Sequence, residues 1–403
     1  MNSASPQEGD ADNPPASSPA DGLSCGIGRI IFWQPIVSPH QTAFLECLAG
    51  AFAGEVVLAA ERDLPAERVL QGWNRPRHQR VTVIDASDPV AFAAQVAHSG
   101  ADSLHLFSGF FSHPIVWRAF RQLAASRAHL AMISEAPELP RATGWLKRCR
   151  GRWLAARWSR RLAFVLAMGD VGRDFFRAVG FPAEAIETFG YALAVPAEPR
   201  WPEPDADDTT VRFIAAGQLI RRKGFDLLFE ALASLPPVGW RLDLYGTGPE
   251  RPALRRRIDR EAMGERIFLH PTVGNEELQQ RIAESDWSVV PSRHDGWGMI
   301  VNESLIAGTP TVCTAACGAA VIIDSPAAGL VVPAADAAAL ADALGHCLSG
   351  GRIGASRRRQ VREVAWRQSP ERAVEAFLRR MARLGSMPAL KSTRQKEDGD
   401  YRR

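Results

Sequence analysis

PSRHDGWGMIVNESLIAG, running from Pro291 to Gly308, decides how this chain is read. It follows WSVV (Trp287–Val290), a short apolar run typical of a strand buried on both faces. Gly296 and Gly298 then bracket Trp297, and a helix is expected to begin near Met299 and run to Ala307. Strand, glycine loop and helix together make one unit of a parallel α/β sheet. The same unit recurs in both directions along the chain. On the amino side lie VRFIAAG (Val211–Gly217), RLDLYG (Arg241–Gly246) and RIFLH (Arg266–His270); on the carboxyl side lie PTVC (Pro310–Cys313) and GLVV (Gly329–Val332). These alternate with amphipathic stretches, so a parallel sheet covered by helices is expected.

The alternation breaks at AEPRWPEPDADDTT (Ala197–Thr210), with its prolines and acids, and this reads as an interdomain linker. Before it the pattern appears a second time, in RIIFW (Arg29–Trp33), EVVLAA (Glu55–Ala60), VTVID (Val81–Asp85), SLHLF (Ser103–Phe107), LAMIS (Leu130–Ser134) and FVLAM (Phe164–Met168). Helical spacing is expected over Pro114–Ala124 and Val171–Gly180. The expected division is a tail over residues 1–26, a first domain over 27–200, a linker over 201–210 and a second domain over 211–365. A helix over 366–385 is expected to pack back on the first domain, ahead of a tail over 386–403. Both tails carry little to bury and are expected to be disordered. Two α/β halves joined by a linker enclose a cleft, with ligands expected at the carboxyl ends of the strands.

Bulk properties narrow the function classes. A chain of 403 residues supports two cores, and a net charge of +3 argues against a general nucleic-acid coat. The six cysteines include no CxxC pair, which fits buried reduced thiols better than a zinc site or disulfide framework. No apolar run approaches 18 residues and the first residues lack a basic-then-apolar signal, so a cytoplasmic enzyme is expected.

Three loops of the second half carry chemistry. GQLIRRKG (Gly217–Gly224) places Arg221, Arg222 and Lys223 beside a glycine at a helix start, where backbone N–H groups favour an anion. Lysine occurs only at positions 147, 223, 391 and 396, which favours a phosphate role for Lys223 over a solvated basic loop. YGTGPE (Tyr245–Glu250) holds Gly246 and Gly248, but GxG without a third glycine fits a plain strand-to-helix turn as well as close ligand approach. In the third loop, the one that opened this reading, Asp295 precedes the helix and Glu303 lies about one turn inside it, so both carboxylates can face one pocket. A helix cap and a surface charge are the plainer alternatives, although Ile300, Leu305 and Ile306 flank Glu303.

Taken in this order, the three loops resemble the retaining glycosyltransferases of family 4, the glycosyl transferases group 1. The pattern of that family is PS…EGFG…EA…G.P, with two acids separated by seven residues; here Asp295 stands for the first glutamate and Glu303 is the second. The likeness spans about Val211–Val332, and PTVGNEELQQRIAESD (Pro271–Asp286) resembles the stretch that holds the nucleotide base. SEAPE (Ser134–Glu138) and LAMGDVGRDFFRAVGF…FGY (Leu166–Tyr191) extend it more loosely into the first half. The resemblance implies the GT-B fold, two Rossmann-like domains with parallel sheets facing across a cleft. It implies a hexosyltransferase-type, metal-independent enzyme, with a nucleotide-diphosphate sugar as co-substrate and no cofactor. Arg222 and Lys223 would take the donor diphosphate. Asp295 with the amides of Gly296, Trp297 and Gly298 would take the transferred sugar. The amides of Met299 and Ile300 would assist at the phosphates, Glu303 would hold the ribose, and Gly217 and Gly246 would line the donor side. Gln218 stands where many members have arginine, and Asp295 is one methylene short. The DAD runs at Asp10–Asp12 and Asp205–Asp207 imitate a metal-binding DxD but lie in Pro-rich, non-strand context, so no metal site is expected.

The acceptor is expected on the first domain, where QPIVSPHQTAF (Gln34–Phe44) offers Ser38, His40 and Gln41. His113, in SGFFSHP after a strand, is expected to face the cleft and touch the transferred sugar, with helix capping as the alternative. Glu135 and Glu138 are expected either to line the acceptor site or to cap a helix. Residues Leu139–Gly169 contain no acid but many arginines, with Trp145, Trp153 and Trp158. Residues 141–161 thus suit either an anionic membrane surface or a solvated basic face. A saccharide or lipid-linked acceptor, in polysaccharide or lipopolysaccharide biosynthesis at the inner face of the plasma membrane, follows from the first of these. The competing functions are a nucleotide-sugar epimerase or phosphorylase of like architecture, a non-catalytic scaffold, and, for YGTGPE alone, a Rossmann dehydrogenase.

Overall fold

The computed structural model describes residues 26–61, 76–109, 113–140, 142–196, 199, 201 and 208–384. Both tails, most of the linker, Arg141, Cys25 and the two DAD runs lie outside the described residues.

The first domain is built on β1 (Arg29–Ile36), α1 (Pro39–Ala51), β2 (Glu55–Glu61), β3 (Thr82–Asp85), α2 (Pro89–Ala97), β4 (Ser103–Ser108), α3 (Pro114–Leu123), β5 (His129–Ser134), α4 (Gly144–Trp158), β6 (Leu162–Met168), α5 (Gly169–Ala178) and β7 (Ile186–Phe189). Its strands form one parallel sheet in the order β3-β2-β1-β4-β5-β6-β7. Ile30, Ile31, Phe32 and Trp33 of β1 are all buried, since helices cover both faces of the sheet. The seventh strand has no counterpart in the sequence reading. IETF is a short edge strand in which only Ile186 is fully buried, so it carries no apolar run to announce it.

The second domain comprises β8 (Val211–Ala216), α6 (Phe225–Ala233), β9 (Trp240–Tyr245), α7 (Arg251–Arg260), β10 (Ile267–His270), α8 (Asn275–Ala283), β11 (Trp287–Val290), α9 (Met299–Ala307), β12 (Thr311–Thr314), β13 (Gly329–Val332), α10 (Ala337–Ser349) and α11 (Ala355–Arg367). Its sheet order, β10-β9-β8-β11-β12-β13, is the doubly wound order 3-2-1-4-5-6. All its strands run parallel; the order in which they are added switches sides between β8 and β11, and a crevice opens there beyond the strand ends.

The last helix, α12 (Pro370–Ala382), returns to the first domain. Phe377 is buried against Phe32, Phe44 and Phe164, and Arg380 pairs with Glu187. Arg362 of α11 ties the second domain to the chain just ahead of the linker: it donates to the carbonyl of Pro196 at 2.6 Å and also to that of Ile306. Of the cysteines, Cys313, Cys317 and Cys347 are buried as expected, whereas Cys149 is exposed on α4.

Candidate active site in the interdomain cleft

The switch between β8 and β11 brings two of the three loops into contact. Arg293 donates its backbone N–H to the Arg222 carbonyl at 2.8 Å, and its guanidinium grips Asp226 at 2.5 and 2.8 Å. This bidentate pair locks the loop Gly217–Gly224 to the loop that starts at Pro291. Arg221 therefore points outward and is exposed, while Arg222 and Lys223 turn inward.

Inside, Lys223 Nζ lies 2.5 Å from Asp295 Oδ2, and Arg222 Nη1 lies 3.6 Å from Asp295 Oδ1 and 3.0 Å from the His294 carbonyl oxygen. Asp295 is only 7% exposed, so its charge is held by these cations in a largely desolvated place. Among the described residues, the amides of Gly296, Trp297, Gly298, Met299 and Ile300 donate to no protein acceptor. Five consecutive free donors, two cations and a carboxylate thus meet at the start of α9.

Glu303 lies one turn inside α9, and its carboxylate finds no ion-pair or hydrogen-bond partner among the described residues. Burial pushes its pKa from 4.5 up to about 7. It stands between two chambers. The polar chamber, about 640 Å³, is lined by Arg222, Lys223, the run from Asp295 to Ile300 and Glu303, and by Gly217, Gln218 and Gly246. A mainly apolar chamber of about 740 Å³ adjoins it and shares Pro39, Leu193, Asn275 and Glu303.

The YGTGPE loop supports the site from beneath. A Cβ on Gly246 would lie 1.9 Å from the Gly217 carbonyl oxygen, so that glycine lets two loops pack backbone to backbone. Its lack of a side chain serves loop packing, although Gly246 also borders the chamber.

His113 departs from expectation. It does not line either chamber; its Nε2 lies 3.4 Å from Glu61 at the end of β2. As the residue before α3 it adopts an extended backbone, caps no N–H with its ring and turns towards the neighbouring strand end. Ser38 and His40 do line the cleft from the first domain.

Four residues form a chain across the domains. Trp297 is 2% exposed, packs against Gly190 and meets Tyr191 edge-on at 5.9 Å. Its Nε1 donates to Asn302 Oδ1 at 2.6 Å, and Asn302 Nδ2 donates to the Tyr191 carbonyl at 2.9 Å. The Tyr191 hydroxyl donates to Glu135 Oε1 at 3.3 Å. Sequence reasoning assigned no role to Tyr191 or Asn302. The one available signal was a polar Asn302 within the otherwise apolar start of α9.

Comparison with known proteins finds similarity to glycosyltransferases. Residues 210–350 match the family described as glycosyl transferases group 1. The D-inositol 3-phosphate glycosyltransferase of Xylanimonas cellulosilytica is 28% identical over 170 residues, 40% of each chain. The lipopolysaccharide glucosyltransferase WaaG of Escherichia coli is 30% identical over 120 residues, 30% of this chain and 32% of that protein. The chain thus spans less than half the length of these relatives. Anabaena HepE, solved with UDP and glucose, superposes with a TM-score of 0.64 at 16% identity, over 89% of this chain and all of that one. Residues 210–350 are thus similar to the glycosyl transferases group 1, within a chain that has the GT-B fold.

Proposed function

We propose that this protein is a retaining, metal-independent glycosyltransferase that moves a sugar from a nucleotide-diphosphate sugar to a saccharide or lipid-linked saccharide. The observation that carries the reading is the convergence of Lys223, Arg222, Asp295 and five unpaired amides at the β8/β11 crevice. A diphosphate suits the cations and the start of α9; sugar hydroxyls suit Asp295; ribose hydroxyls suit Glu303. Thr272 and Val273, which border the polar chamber, suit the base. HepE was solved with UDP and glucose, which supports a nucleotide sugar as donor.

In the transfer, the bond between the anomeric carbon and the phosphate oxygen breaks, and the diphosphate leaves with the electron pair. The acceptor hydroxyl forms its new bond on the same face, and its proton passes to the departing phosphate oxygen. Fixed positive charge at that oxygen is the main stabilisation, and Arg222, Lys223 and the amides at the start of α9 supply it in place.

For the acceptor, the first domain offers a basic helix with exposed tryptophans. Trp145 and Trp153 of α4 are 61% and 53% exposed beside exposed Leu146. With no acid over Leu139–Gly169, this face suits the anionic inner surface of a plasma membrane. A lipid-linked saccharide, as in cell-surface polysaccharide or lipopolysaccharide synthesis, is the acceptor that such a position favours. No described helix is long and apolar enough to cross a membrane.

The test is incubation with UDP-, GDP- and ADP-sugars, with and without saccharide acceptors. Nucleotide release that depends on the acceptor, with the anomeric configuration kept, is expected. Binding without turnover under every acceptor would leave a scaffold, and sugar interconversion without transfer an epimerase.

A further inference from the structure

We propose that Glu135 reads the transferred sugar from the first domain and restricts the donor to neutral or amino-bearing sugars, shutting out uronic acids. The proposal rests on the donor reading of the cleft given above and names the class of sugar that cleft takes.

Glu135 is the first residue beyond β5, at the carboxyl end of the sheet, and its carboxylate opens into the polar chamber. It reaches across to the opposite domain. A Cβ placed on Gly296 would lie 1.8 Å from Glu135 Oε2, so the acid occupies the space that any side chain at 296 would need. Position 296 directly follows Asp295, and the two carboxylates come from opposite walls of one chamber. Glu135 is also held in place: Tyr191 donates to Oε1 at 3.3 Å, and Tyr191 is tied through Asn302 to Trp297. A carboxylate aimed over the sugar loop by its own support is placed to accept hydrogen bonds from hydroxyl or ammonium groups.

Charge decides what it excludes. Among the described residues, the Lys and Arg side chains that line the chamber are Arg222 and Lys223, and both already contact Asp295. A diphosphate draws on these same cations. A donor with a carboxylate on its sugar would then bring a further anion between Glu135 and Asp295 with no other Lys or Arg among the described lining residues to meet it. The crowding is present without ligand, since the cleft walls first and Asp295 second raise the Glu135 pKa.

The experiment is calorimetric binding to the full chain of UDP, UDP-glucose and UDP-glucuronate, and of GDP, GDP-mannose and GDP-mannuronate. In the wild type, the neutral sugar nucleotide should bind at least about tenfold tighter than its uronate counterpart. Glu135→Gln should keep affinity for the bare nucleotide diphosphate, which also reports an intact fold, and shrink the discrimination to about threefold or less. Glu135→Asp, which retains the charge, should retain most of it. Equal affinity for neutral and uronate forms in the wild type, or undiminished discrimination in Glu135→Gln, overturns the proposal and leaves the donor cleft standing. Failure of the wild type to bind any nucleotide diphosphate removes the donor reading itself, and the proposal falls with it.

Discussion

Lys223 and Asp295, the cation assigned to the phosphates and the acid assigned to the sugar, hold each other at 2.5 Å. With a nucleotide sugar as the proposed donor, a diphosphate that engages Lys223 would loosen its hold on Asp295 and leave that carboxylate to sugar hydroxyls. The two halves of the donor would thereby be coupled through one ion pair.

Asp295→Asn separates these effects. The amide frees the cations, so affinity for a bare nucleotide diphosphate should rise by about three- to tenfold. Acceptor-dependent nucleotide release should fall by about a hundredfold, because the sugar loses its charged partner. Calorimetry and a release assay read the two quantities, and weaker nucleotide binding in the variant would contradict the coupling.

Glu303 makes stability depend on pH. Its pKa is 4.5 when free and about 7 in the fold, so between those values the folded chain keeps a proton that the unfolded chain has lost. The stabilisation is complete below about 4.5, declines as pH rises and is gone above about 7. Glu303→Gln should therefore gain about 2 kcal/mol over the wild type at pH ~8 and almost nothing at pH ~4, by denaturant titration. That figure is reduced from the full shift because the carboxylate borders solvent in the cleft. Nucleotide-sugar affinity should drop in the same variant, as an amide accepts ribose hydroxyls less well than a carboxylate.

Phe377→Ala should destabilise the first domain by about 3–4 kcal/mol, since it empties a site shared with three phenylalanine rings from β1, α1 and β6. Equilibrium unfolding followed by fluorescence checks this, and a loss below about 1 kcal/mol would show that α12 packs loosely.

Exposed Trp145 and Trp153 predict flotation with liposomes that contain anionic lipid, at low salt. Replacing both by Ala should reduce the bound fraction severalfold, and neutral liposomes should not retain the chain. Absence of binding by the wild type would assign α4 to solvent.

The alternation of apolar runs and helical stretches conveyed both sheets, because strands covered on two faces leave near-continuous apolar sequence. β7 escaped because an edge strand with one buried residue leaves no such mark. In the second domain, Arg222, Lys223, Asp295, Glu303, Gly296 and Gly298 could be read as neighbours because they lie in loops tied to individual strand ends, and the structure gathers them in one chamber. His113 shows the limit. Its distance from a strand end was right, but the direction of its ring depends on Glu61, remote in sequence and adjacent in the sheet. The link from Glu135 through Tyr191 and Asn302 to Trp297 was equally hidden, as its members meet only when two domains dock.

The return of α12 to the first domain means that the polypeptide bridges the gap twice, once beyond Tyr191 and once between Arg367 and Pro370. A first half cut at the linker would lack Phe377 and with it the cover over Phe32, Phe44 and Phe164. The first domain is thus completed by residues that follow the second.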